Sequence, residues 1–110
     1  YYIYPQTVRE SERQGYITAW FLFEHSIPQK SPNGKYYTKT KLQSLISCKY
    51  NKFGLIDVVT YSKNDDIVYR TKRVDEYLVE EQSVIPSSNG EYMIKAACAF
   101  YDIMPDEIQE

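Results

Sequence analysis

The stretch VIPSSNGEYMIKAACAF, residues 84–100, carries a full helical signature in this 110-residue chain, and its reading decides the fold. Ser88 and Glu91 stand in S-x-x-E spacing, which predicts a capping box at a helix N-terminus. Pro86 lies just outside it. From Tyr92 onward the apolar residues Met93, Ile94, Ala97, Cys98, Tyr101 and Met104 fall on one helical stripe. Pro105 is expected to end the helix, and the acidic tail 106–110 to fray. Cys98 therefore sits on the face the helix must bury, and the only other cysteine is Cys48.

Upstream, the pattern switches to period two. YYIYPQTV (1–8) reads as a short strand ended or bulged at Pro5, because proline donates nothing to a ladder. Gly15 suits a hairpin turn. YITAWFLFEHSI (16–27) is the strongest strand. Ile17, Ala19, Phe21 and Phe23 lie on one side, and Tyr16, Thr18, Trp20 and Leu22 on the other. A strand apolar on both sides is covered on both sides; with one helix available, the second cover must be a loop or a second subunit. PQKSPNGKYYTKTK (28–41) reads as a loop or loose hairpin. LQSLISCKYNKF (42–53) alternates with Leu42, Ser44, Ile46, Cys48 and Tyr50 on one side, after which Gly54 is expected to turn the chain. LIDVVTYS (55–62) is β-branched and predicts a strand. Asn64-Asp65-Asp66 makes a turn, and IVYRTKR (67–73) and EYLVEEQSVI (76–85) read as a final strand pair. The predicted fold is α+β: an antiparallel meander sheet of about six strands, with one C-terminal helix packed on a face and residues 1–110 forming a single domain.

Composition narrows the function. Twelve tyrosines, against one tryptophan and four phenylalanines, favour half-wet sheet and contact surfaces. A net charge of −2 argues against nucleic acid as a partner, since a duplex binder carries a dominant basic face. No apolar run approaches the ~20 residues that span a bilayer. The chain opens on YYIY, in mid-strand and without an initiator Met, so the expectation is that a leading segment has been removed, together with any targeting signal.

Two readings of the cysteines stay open on these grounds: two buried free thiols, or a disulfide closing a loop of about fifty residues. The disulfide would be worth roughly 4 kcal/mol in the chain-entropy picture and would place the protein outside the reducing cytosol. Two cysteines this far apart with one histidine make no zinc site.

The order of these motifs resembles the bacterial surface-adhesin protein E family. Cys48 lies in LISCKYNKFGLIDVVTYS, followed by a long hairpin closing on VIPSS (84–88) and a helix containing AACAF (96–100). The early YYIYPQTV is similar to that family's Y-Y-I-D-x-x-S-I strand. The resemblance runs from about residue 1 to residue 101. It implies an antiparallel sheet with a C-terminal helix and a strand-to-helix disulfide, carried here by Cys48 and Cys98. It also implies an exported protein of Gram-negative bacteria, at the outer membrane and cell surface or in the periplasm. That protein would be a virulence-type adhesin, binding host extracellular-matrix or plasma proteins and forming a homodimer. Two departures stand out. Tyr4 replaces the motif's usual Asp, and no lipobox cysteine is present in these residues.

The remaining candidates are weighed residue by residue. His25, the sole histidine, neighbours Glu24 and Ser26, but adjacent strand residues point to opposite faces, so no dyad forms there. Asp65-Asp66 are expected to be turn formers, and of Glu80-Glu81 at least one is expected to be solvated. The four glycines are isolated and make no phosphate loop. No catalytic residue, metal or cofactor is therefore assigned. The basic, tyrosine-rich segment with Lys30, Lys35, Tyr36, Tyr37, Lys39 and Lys41 is the candidate contact for an acidic protein partner. Arg70, Lys72 and Arg73 form a second basic cluster, and Tyr16, Trp20 and Leu22 a candidate dimer face. The expected function is an exported, non-enzymatic binding protein. The alternative is a periplasmic inhibitor or immunity-type protein with a single partner.

Overall fold

Six strands and one α-helix hold most of the backbone of the computed structural model, which describes residues 2–102. Strands β1 (Tyr2–Glu10), β2 (Ile17–Lys30), β3 (Tyr36–Ser47), β4 (Lys52–Tyr61) and β5 (Ile67–Arg70) follow one another in an antiparallel meander, β1-β2-β3-β4-β5. The two-residue strand β6 (Gln82–Ser83) pairs with the start of β4, and β5 pairs with its end. Helix α1 (Asn89–Asp102) then crosses one face.

Local chemistry explains the element ends. Pro5 does not stop β1; the pairing with β2 shifts register between Tyr4 and Arg9, so the proline falls in an irregular stretch. The predicted loop at 28–41 is largely strand. β2 runs on through Pro28 to Lys30 and β3 begins at Tyr36, leaving only a tight turn at Gly34 (φ 84°). The expected turn at Gly54 comes earlier: β3 ends at Ser47, and Asn51 (φ 52°) takes the left-handed position. Gly54 lies inside β4, because a Cβ there would sit 2.2 Å from Val79 Cγ1 and 2.6 Å from the Glu80 carbonyl oxygen. The predicted strand at 76–85 is instead a 3-10 turn, Glu76–Leu78, followed by β6. The Asp75 side chain caps that turn through the Tyr77 N–H at 2.9 Å. The predicted strand at 67–73 stops at Arg70. Beyond it, Thr71 and Val74 still donate to Val58 and Ile56, which holds the irregular segment against β4.

α1 starts as the sequence predicts, with Ser88 Oγ accepting from the Glu91 N–H at 3.3 Å. Its carboxylate takes up Lys95 and the Ser87 backbone, which lowers the Glu91 pKa. Met104, Pro105 and the acidic tail lie outside the described residues. Met93, Ile94 and Ala97 are buried against Val8, Ile17, Ala19, Phe21 and Ile46. Large side chains of this kind contribute about 1.5–3 kcal/mol each. Cys48 bonds to Cys98 with the Cα atoms 6.0 Å apart. Cys48 was expected inside a strand; it lies in the turn just past the end of β3 and is exposed, so the bond ties the end of β3 to the helix.

Candidate partner-binding surface

Antiparallel partners directly opposite one another share a sheet face. The register therefore fixes what lies on the face away from α1. One cross-strand row is Tyr4, Trp20, Gln43 and Asp57. The next is Tyr2, Leu22, Lys41, Val59 and Arg70, and then come Glu24, Lys39 and Tyr61. This face is aromatic and charged, whereas the helix face is apolar.

Its lower part is covered by the chain itself. At the β3–β4 pairing, Ser44 faces Leu55 while Gln43 faces Asp57, which leaves Ile56 as a bulged residue. Ile56 joins Leu45 and Val79 in a second small core, against which Tyr16 packs. Arg13 lies 4.5 Å over the Tyr16 ring and pairs with Glu81, and the Tyr16 hydroxyl donates to the same carboxylate. That hydrogen bond, with burial, raises the Tyr16 pKa. Of the candidate dimer face, Tyr16 is thus occupied within its own chain, while Trp20 and Leu22 lie farther along the strand, each half-buried. Glu80 is the solvated member of its pair.

Asp57 is the most deeply set ion on this face, its side chain wholly buried. Arg70 Nη2 lies 2.6 Å from Oδ2, and Arg73 Nη1 lies 3.7 Å from the same atom. Arg73 also donates to Gln43 Oε1. The second basic cluster is thereby divided: Arg70 and Arg73 neutralise a buried carboxylate, and Lys72 alone stays on the exposed backbone beyond β5. The hydrogen bond to Asp57 raises the Arg70 pKa further. Sequence reading missed Asp57 and Gln43. The signal was there in LIDVV, an acid inside a β-branched run.

The first basic segment becomes the far end of the β2–β3 hairpin. Ser31 Oγ reaches the Lys35 carbonyl at 2.9 Å, and Asn33 Oδ1 accepts from the Lys35 N–H at 3.0 Å. Asn33 Nδ2 donates to the Val68 carbonyl at 2.8 Å, anchoring the tip to β5. Lys30, Lys35 and Tyr36 are exposed. Tyr37 meets the His25 ring edge-on at 5.6 Å, and His25 Nε2 hydrogen-bonds Thr40 Oγ1 at 2.8 Å. Lys39 Nζ pairs with Asp65 at 2.6 Å, which raises the Lys39 pKa and lowers that of Asp65. Asp65 is a turn residue at φ 66°. Lys41 Nζ sits between two rings, 5.0 Å from that of Tyr61 and 5.8 Å from that of Tyr4. Among the described residues, no cluster of three or more His, Cys, Asp or Glu side chains is placed to hold a metal ion, and no helix is long and apolar enough to cross a membrane.

A meander sheet with one crossing helix stapled to it, and a polar, aromatic second face, defines a small α+β domain. The family model described as surface-adhesin protein E matches residues 1–99, and the chain belongs to that family. Among solved structures, crystal form II of Haemophilus influenzae protein E superposes with a TM-score of 0.65 at 13% identity, over 91% of this chain and 80% of that one. Its selenomethionine form gives 0.62 at 12% identity, over 88% and 77%. At such identities the likeness is one of fold. No curated protein sequence matches the chain.

Proposed function

We propose that this domain is an exported, non-enzymatic adhesin that binds a host extracellular-matrix or plasma protein at the bacterial surface. In this reading the β2–β3 hairpin and the adjoining face are the contact. The observation that carries it is the placement of Lys41 between Tyr4 and Tyr61, below a tip where Lys30, Lys35 and Tyr36 are all exposed. Amines displayed among tyrosine rings attract acidic segments and give the rings contact area. Lys39 contributes once a partner carboxylate displaces Asp65, an exposed pair of little cost to break.

The test is binding of Lys35→Ala/Lys39→Ala/Lys41→Ala to immobilised matrix and plasma proteins at two salt concentrations. The triple variant is expected to bind about tenfold more weakly and with a flatter salt dependence. Unchanged binding removes the hairpin from the contact.

A further inference from the structure

On the face opposite α1, a cleft of about 470 Å³ opens between β1 and the segment following β5. This volume lies within the ~300–1,000 Å³ of small-molecule sites. Thr18, Trp20 and Gln43, from the middle of β2 and β3, form its floor. Three features of that floor are unspent. Thr18 is 3% exposed, yet its hydroxyl has no hydrogen-bond partner among the described residues. Gln43 is 9% exposed and accepts from Arg73 through Oε1, leaving its amide N–H groups without an acceptor among those residues. Trp20 lines the cleft half-buried, and its indole N–H is likewise unmatched. Among the described residues, the buried side-chain atoms left without a partner lie elsewhere, at Thr38 Oγ1 and Asp57 Oδ1, so these three floor groups keep access to solvent and are open to a ligand that can replace water on them.

The rim constrains the charge of what enters. Arg9, Arg73, Glu12 and Glu76 stand around the opening, while the Glu10 carboxylate is turned away to Tyr101. An anion meets two carboxylates there and a cation meets two guanidinium groups, so neither is selected. A ligand that suits the floor must offer hydroxyls, which both donate and accept, and an apolar patch for the indole face. A pyranose ring has both. In the galacto configuration the axial hydroxyl leaves one continuous C–H face free to stack. We propose that this cleft is a binding site for a neutral hexopyranose, with the sugar ring on Trp20 and its hydroxyls on Thr18 and Gln43. The site is separate from the hairpin contact and stands or falls independently of it.

Trp20 is the only tryptophan, so its emission reports the cleft directly. Titration of the intact protein with methyl β-galactoside is expected to give a saturable change in intensity or wavelength. Half-saturation is expected on the order of 1–10 mM, as suits a ligand of about a dozen heavy atoms. It should shift less than twofold between low and high salt, because no net charge is recognised. Bound sugar should also shield Trp20 from acrylamide, a readout that needs no variant. Thr18→Val, which keeps the shape and removes the hydroxyl, is expected to weaken binding about tenfold, and Thr18→Ser to retain it. Lys35→Ala/Lys39→Ala/Lys41→Ala is expected to leave the response unchanged. Absence of a saturable response or of acrylamide protection overturns the proposal. So does stronger binding of galacturonate, the same ring carrying a carboxylate, which would show an anion site instead. Equal affinity of Thr18→Val and the parent protein removes the sugar from this floor.

Discussion

Removing the Cys48–Cys98 bond is expected to act on the unfolded chain rather than on the native fold. The two cysteines are separated by 50 positions. For a loop of that size the chain-entropy relation gives about −14 cal/mol/K, or about 4 kcal/mol at 25 °C. The native side loses less: Cys48 is exposed and Cys98 is half-buried at the margin of the core, while Met93, Ile94 and Ala97 are the fully buried residues of the helix. Cys48→Ala/Cys98→Ala should therefore keep its helical circular dichroism while its urea midpoint falls by about 2 M, taking a slope of ~2 kcal/mol/M, the middle of the range for small proteins. The slope itself should rise, because an unfolded chain freed of a fifty-residue loop expands and exposes more surface. The reasoning is refuted if the variant loses less than about 1 kcal/mol with an unchanged slope. Loss of the helical signal under native conditions refutes it from the other side, by showing that the sulfurs and not the apolar stripe dock the helix.

The Asp57 cluster should be lopsided. Arg70→Ala leaves a carboxylate with no exposure beside only the more distant Arg73 and should be clearly destabilising, whereas Asp57→Ala lets two half-exposed guanidinium groups turn to water and should cost less. Thermal melts of both variants check the order, and equal losses would contradict it. Gly54→Ala drives a methyl into the Val79 side chain and the Glu80 carbonyl and should cost about 1–3 kcal/mol, read in the same melts, with faster amide exchange across β6. In an alkaline titration, Tyr101, pushed up to about 12 by its hydrogen bond to Glu10, should ionise late, and Tyr101→Phe should delete one phenol from the late phase. Because its folded pKa lies above the unfolded value near 10, its contribution to stability is whole below about pH 10 and is lost as pH rises towards 12. A variant as alkali-sensitive as the parent in that window would show that the hydrogen bond adds nothing.

What was legible in the sequence was what periodicity and capping report. The helix start at Ser88, the apolar stripe from Met93 to Ala97 and the two-sided β2 are local patterns written in one segment each. The misread parts depend on distant residues. Gly54 looks like a turn when read alone, and only the crossing of Val79 and Glu80 makes it a strand glycine. Residues 76–85 alternate well enough for a strand, yet β4 offers them pairing only at Lys52 and Phe53, because Asp75 caps a 3-10 turn first. Pro28, Pro32 and Asn33-Gly34 suggested a loop, but the pairing of Lys30 with Tyr36 carries the strands almost to the turn. The basic clusters show the same limit. Arg70 and Arg73 read as surface charge until the sheet brings Asp57 beneath them.

The fold separates the residues that hold it from those proposed to bind. The disulfide joins α1 to the chain at one end of β3, and the hairpin tip lies at the other. Twelve residues of strand, at about 3.4 Å each, put roughly 40 Å between the two ends. That distance is nearly the 43 Å long axis of the molecule. The buried core sits under α1 near the stapled end, so substitutions at the tip change neither the helix contacts nor the loop closed by the sulfurs. The tip is held by its turn chemistry, Ser31, Asn33 and Gly34, and by the Asn33 hydrogen bond to Val68. A domain built this way can exchange most of its surface and keep its architecture, as the 13% identity over 91% of the chain illustrates. It follows that a partner specificity carried by the hairpin should transfer with it: grafting residues 30–41 onto another family member should move hairpin-dependent binding without lowering the melting temperature by more than a few degrees. A graft that folds and binds nothing would place the contact elsewhere on the sheet.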